Sequence, residues 1–147
     1  MQKFHFKLQK LLDYKKILLN EQVAKISTLT KEISDCQKKI DDINGRIITL
    51  SKVTCEKNKI VTGHFLFIHK RYINDLKALM NNLVRQKALL ENNLQQAKDK
   101  AISLEKEYKT INTLKEKKFE EYKKELLYQE QTILDDLVIS RKFLGGA

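Results

Sequence analysis

Two trains of apolar residues, each repeating every seven positions, run through this chain, and no proline interrupts either of them. In the first, Leu12, Leu19, Ile26, Ile33, Ile40 and Ile47 recur at heptad spacing, with Leu8, Leu29, Cys36, Ile43 and Leu50 in the companion position. In the second, Leu76, Leu83, Leu90, Ala97, Leu104 and Ile111 repeat in the same way, joined by Tyr72, Leu79, Leu94, Ala101, Tyr108 and Leu114. A repeat of this kind keeps one narrow stripe turned toward a partner helix, the sequence form of a coiled coil. Proline would break such a helix and glycine would weaken it, so a chain with no Pro and four Gly in 147 residues is suited to long uninterrupted helices. We therefore expect an all-α fold: two long helices forming an antiparallel coiled-coil hairpin, the second helix longer, as a single domain over residues 1–147.

The heptads fade between Val53 and His64, where Asn58, Thr62 and Gly63 supply turn and capping chemistry. Helix one is accordingly expected at about 3–57, the bend at about 58–63 and helix two at about 64–142. The arms are unequal. Helix two, at about 80 residues, is roughly 120 Å long, against about 55 residues for helix one. With a bend near residue 60, the amino terminus runs out opposite Lys117 or Lys118. Beyond that point Phe119, Tyr122, Leu126, Ile133 and Leu137 still keep three-and-four spacing, with Leu127, Leu134 and Val138 beside them. Leaving such side chains wet forfeits roughly 1.5–3 kcal/mol each relative to burial. A second molecule is expected to supply the cover. Self-association through the same stripe is one alternative, whereas a third helix folding back is disfavoured by the lack of a Gly or Pro break there.

Lys15 and Gln22 interrupt the first seam, where a polar residue costs stability but fixes register or marks a contact. Cys36 and Cys55, on one expected helix, stand roughly 28 Å apart and cannot pair with each other, which fits a reducing cytoplasmic setting. The longest apolar run, Phe65 to Ile68, is far below the ~18 residues of a membrane span, and no secretory signal is read at the amino terminus. The net charge of +10 is nearly all Lys, with Arg46, Arg71, Arg85 and Arg141 the only arginines. Lysine has little base-reading power, and a general leaning toward Asn, Ile and Lys accounts for much of the basicity.

Catalysis needs groups converged on a pocket, and a two-helix hairpin has no concave interior to hold them. His64 and His69 are five residues apart and point to different helix faces, and His69 falls on the second seam as a partly buried core histidine. Asp41 and Asp42, Glu120 and Glu121, and Asp135 and Asp136 are adjacent pairs whose side chains diverge by about 100° on a helix. No catalytic, cofactor or metal site is expected, and no enzymatic activity.

The opening Phe4-x-Phe6-x-Leu8-x-x-Leu11-Leu12-x-x-Lys15 resembles the start of the flagellar export protein family FliJ. At the other end, Leu114-Lys115-Glu116-Lys117-Lys118 leads to Tyr122, then Gln129-Glu130-Gln131-x-x-Leu134-Asp135-Asp136 and Arg141, similar to that family's closing charged run, with Asp136 where Glu is usual. The resemblance spans the whole chain. It implies a stalk whose termini enter the ring of the export ATPase FliI, with Phe119, Tyr122, Leu126, Ile133 and Leu137 buried there and Phe4, Phe6 and Leu8 packing from the other strand. It also implies contact with the export gate protein FlhA through the early second helix, here Tyr72, Leu76, Leu79 and Leu83, although Leu76, Leu79 and Leu83 are also seam positions. Export chaperones are further implied partners, with no residues assigned. The location so implied is cytoplasmic and peripheral at the inner face of the inner membrane, through partners alone. The residues leave open an injectisome stalk of the same architecture, a self-associating scaffold, and a basic coiled coil for nucleic acid or anionic membrane; nucleic acid is not the expected partner.

Overall fold

The computed structural model describes residues 3–56 and 63–145. Two helices account for nearly all of them, α1 over Gln9–Glu56 and α2 over Gly63–Gly145, of 48 and 83 residues, and no strand occurs among the described residues. They pack against each other antiparallel, giving the all-α hairpin with a longer second helix that the heptads require. The expected bend lies outside the described residues, except for Gly63, which already opens α2. The chain divides into two compact units, residues 20–102 and residues 1–19 with 103–147.

In the unit of residues 20–102, Ile43, Ile47 and Leu76 form the buried centre, with Leu50, Ile73, Met80 and Leu83 packed against it. Spacings of three and four on each helix bring these side chains to one face, and full burial of each stabilises by about 1.5–3 kcal/mol. Leu29 and Cys36 extend the buried line on α1 and Ala97 on α2. Ala97 is 2% exposed, the deepest side chain of the core, as expected where a small residue lets helices approach closely. Polar bonds cross the seam. Cys36 Sγ donates to the Leu83 carbonyl at 3.3 Å, and Lys87 Nζ donates to Gln37 Oε1 at 2.6 Å. His69 is half-buried on the seam with Nε2 3.0 Å from the Leu50 carbonyl, so the Nε2–H tautomer donates there, and its ring stacks on Phe65. Gln22 carries a cost: its Oε1 is buried with no hydrogen-bond partner among the described residues.

In the other unit, Phe6 and Leu12 are buried. Lys15, the polar break in the first heptad train, reaches Glu107 across the seam at 2.6 Å, and Lys16 lies over the Tyr108 ring. Its charge is thereby paired at the seam, with a net worth of about 0–1 kcal/mol.

Helix one was expected from about residue 3, whereas α1 begins at Gln9. Residues 3–6 are non-helical and lead through a turn in which Gln9 N–H donates to the Phe6 carbonyl and Leu12 N–H to the Leu8 carbonyl. The aromatic spacing explains the difference. On a helix, residues two apart point about 200° away from each other, so only one of Phe4 and Phe6 could face α2, while in extended chain both share a side. Phe6 is buried and Phe4 half-buried, with the Phe4 ring on α2.

Candidate interaction surfaces

The amino-terminal segment builds an aromatic cluster on α2. Phe4 meets Phe119 edge-on at 5.1 Å and Tyr122 at 5.5 Å, the rings of Phe119 and Tyr122 stack at 6.3 Å, and Lys123 Nζ stands 4.6 Å over Phe119. Edge-to-face pairs of this kind are worth about 0.5–1.5 kcal/mol beyond their buried area. Beside the cluster, residues 4–8 with Leu114 and Lys118 line a groove of about 410 Å³.

Past this cluster the helix is bare. Leu126 is half-buried, and from Leu127 to Gly145 every residue is exposed. Ile133, Leu134, Leu137 and Val138 are all more than half exposed, 54–61%. The uncovered stretch therefore starts at Leu127 and not at Lys118. Extended chain advances about 3.3 Å per residue against 1.5 Å for a helix, so the few non-helical residues at the amino terminus reach farther along α2 than a helical end would. The stripe also runs on past Val138 through Ile139, Phe143 and Leu144, the last two 89% and 84% exposed. Leu144 stands seven residues after Leu137, and the continuing heptad was the signal for it.

The eight residues expected at the ATPase thus fall into two groups. Phe4, Phe6, Phe119 and Tyr122 are engaged within the chain, with Leu8 at the exposed edge of the groove, while Ile133 and Leu137 are uncovered and Leu126 marks the border.

In the unit of residues 20–102, the four positions expected at the export gate also divide. Leu76 is buried at 7% and Leu83 packs against the same cluster, so both are occupied by the hairpin's own core. Tyr72 and Leu79, at 47% and 49%, stand outside it. Seven residues apart, they share a flank of the seam. Tyr72 also borders an open groove of about 500 Å³ whose α1 side is made by Asp41, Asp42, Gly45, Arg46 and Thr49, together with Leu50. Apart from the heptad residue Leu50, these α1 positions lie off the heptads, so the sequence reading did not join them to Tyr72. Among the described residues, no three His, Cys, Asp or Glu side chains come together as a metal-holding group, and no helix is long and apolar enough to cross a membrane.

Fold and surfaces together define a class: a two-helix antiparallel coiled coil whose longer helix continues as an uncovered apolar rod. The profile of the flagellar FliJ protein matches residues 4–145, both terminal motifs included. The chain belongs to that family, and its role is related to flagellar protein export. No curated protein and no solved structure matches it.

Proposed function

We propose that this chain is a non-enzymatic stalk of the flagellar type III export apparatus, its termini seated in the ring of the export ATPase FliI. The observation that carries this reading is the bare end of α2, where Leu127 to Leu144 present large apolar side chains with none of the described residues of their own chain over them. A socket in a ring is a suitable cover, because it shelters a rod on several sides at once. Phe4, Phe6 and Leu8 then act as the base of the rod together with Phe119 and Tyr122, and Leu126, Ile133 and Leu137 enter the socket.

The stalk also couples to the gate protein FlhA, at the periphery of the inner membrane on its cytoplasmic side. Tyr72 and Leu79 are the accessible part of that contact, and the groove beside Tyr72 extends it onto α1. Leu76 and Leu83 support it from beneath. Export chaperones are further partners.

The test compares ATP hydrolysis by the purified ATPase with the full-length chain and with a chain ending at Leu126. The shortened chain keeps the Phe4 cluster and should melt within a degree or two of the full-length one. Loss of stimulation is expected; equal stimulation by both would remove the bare end from the mechanism. Concentration-dependent dimerisation that disappears with the truncation would instead assign the stripe to a second copy.

A further inference from the structure

The amino-terminal end of α2 carries Phe65, Leu66, Phe67 and Ile68 in succession, all exposed, from 43% at Leu66 to 64% at Phe67. Successive helical residues are turned by about 100°, so four of them occupy the whole circumference of the helix. A helix that packs on α1 uses one stripe, and a flat protein partner covers one side. Phe65 already stacks on His69, and Leu66, Phe67 and Ile68 alone span about 200° of the circumference, which surroundings that enclose the end of the helix shelter best.

Cations outnumber acids in the sequence around this end, with Glu56, the last residue of α1, as the acidic exception. Lys70 and Arg71 follow within a turn of Ile68 and are exposed, and from Gly63 to Asn74 α2 contains no Asp or Glu. The bond between His69 and the Leu50 carbonyl sets the register here, which brings the exposed Lys52 of α1 level with the turn of Phe67. With no acidic side chain in the first turn of α2, the positive end of the helix dipole adds to this field.

An apolar end with an excess of cations beside it matches an anionic lipid interface, with hydrocarbon below and phosphate above. We propose that this end of the hairpin docks directly on an anionic phospholipid bilayer, with Phe65 to Ile68 entering the interface and Lys52, Lys70 and Arg71 engaging lipid phosphates. No described helix is apolar enough to cross the bilayer, so the contact is interfacial. Contact of this kind is reversible, and it goes beyond attachment through protein partners. It uses none of the residues assigned to the ATPase ring, so either proposal can fail alone.

Flotation of the full-length chain with vesicles tests it, using about one-third phosphatidylglycerol in phosphatidylcholine against phosphatidylcholine alone. The wild-type chain should float with the anionic vesicles and lose binding as salt is raised to about 0.15 M and beyond. The double variants Phe67→Ser with Ile68→Ser, and Lys70→Gln with Arg71→Gln, should each lower the partition coefficient roughly tenfold or more. All four positions are exposed, and far-UV circular dichroism confirms that the variants keep the helical hairpin. No flotation, equal flotation on neutral vesicles, or unchanged flotation of either folded double variant would overturn the proposal. So would sedimentation of the wild-type chain as a dimer that the Phe67 and Ile68 substitutions dissolve, since a second copy would then be the cover.

Discussion

Leu76 and Leu79 offer a controlled comparison, because they are the same residue type on the same helix, three positions apart, and differ in where they point. Leu76 is 7% exposed and sits against Ile43 and Ile47; Leu79 is 49% exposed beside the seam. Changing leucine to alanine removes three carbons, worth about 2.4 kcal/mol of transfer free energy when fully buried, at about 0.8 kcal/mol each. At Leu76 nearly all of that is lost, and a residual cavity against the isoleucines raises the cost to about 2.5–4 kcal/mol. At Leu79 only about half applies and solvent fills the space, so the loss is about 1 kcal/mol, offset by a few tenths from alanine's higher helix propensity. A chain of this size shifts its melting point by roughly 2–4 °C per kcal/mol. Leu76→Ala should therefore melt about 5–15 °C below the wild type and Leu79→Ala less than about 4 °C below it, followed by circular dichroism at 222 nm. Binding to the gate protein, measured well below both midpoints, should weaken for Leu79→Ala and hold for Leu76→Ala. Equal losses of stability at the two positions would refute the assignment of Leu76 to the core and Leu79 to the surface.

Phe4→Ala removes the ring from Phe119 and Tyr122 and should cost about 1–2 kcal/mol. Hydrogen exchange at the Gln9 and Leu12 amides, which close the turn onto Phe6 and Leu8, should quicken while amides around Ile43 and Ile47 keep their protection. Gly45→Ala should act in the opposite direction. Gly45 lies inside α1 with open space where a methyl group would go, so alanine should raise stability by about 0.5–1 kcal/mol in urea titration.

The heptads made the fold legible, because a stripe sustained over many turns admits only a helical partner, and Ile43, Ile47 and Leu76 are buried where the repeat requires. Lys15 was legible as an anomaly; its partner Glu107 was not, because the choice among the many acidic residues of helix two depends on register to within one turn. The departure of residues 3–6 from the helix was hidden by composition, since nothing there breaks a helix, and only the need to lay Phe4 and Phe6 on one side reveals it. The surface sites were the least legible. Heptad spacing marks Leu76 and Leu79 alike, and a stripe read from sequence does not tell which of its members the hairpin itself consumes.

The end of α2 beyond Leu126 holds its helical form without tertiary packing, and helix–coil physics gives the reason. Starting a helix from coil is unfavourable by a factor of about a thousand, whereas extending one that already exists adds a bond for each residue fixed. The long helix beneath supplies that start once for the entire rod. Detached as a peptide, residues 127–145 would have to nucleate on their own and would spend most of their time as coil. What the hairpin hands to a partner is thus preorganisation as well as a greasy face: the ordering entropy of the segment is met before the encounter, and substitutions that alter only local helicity would tune affinity without touching the contact.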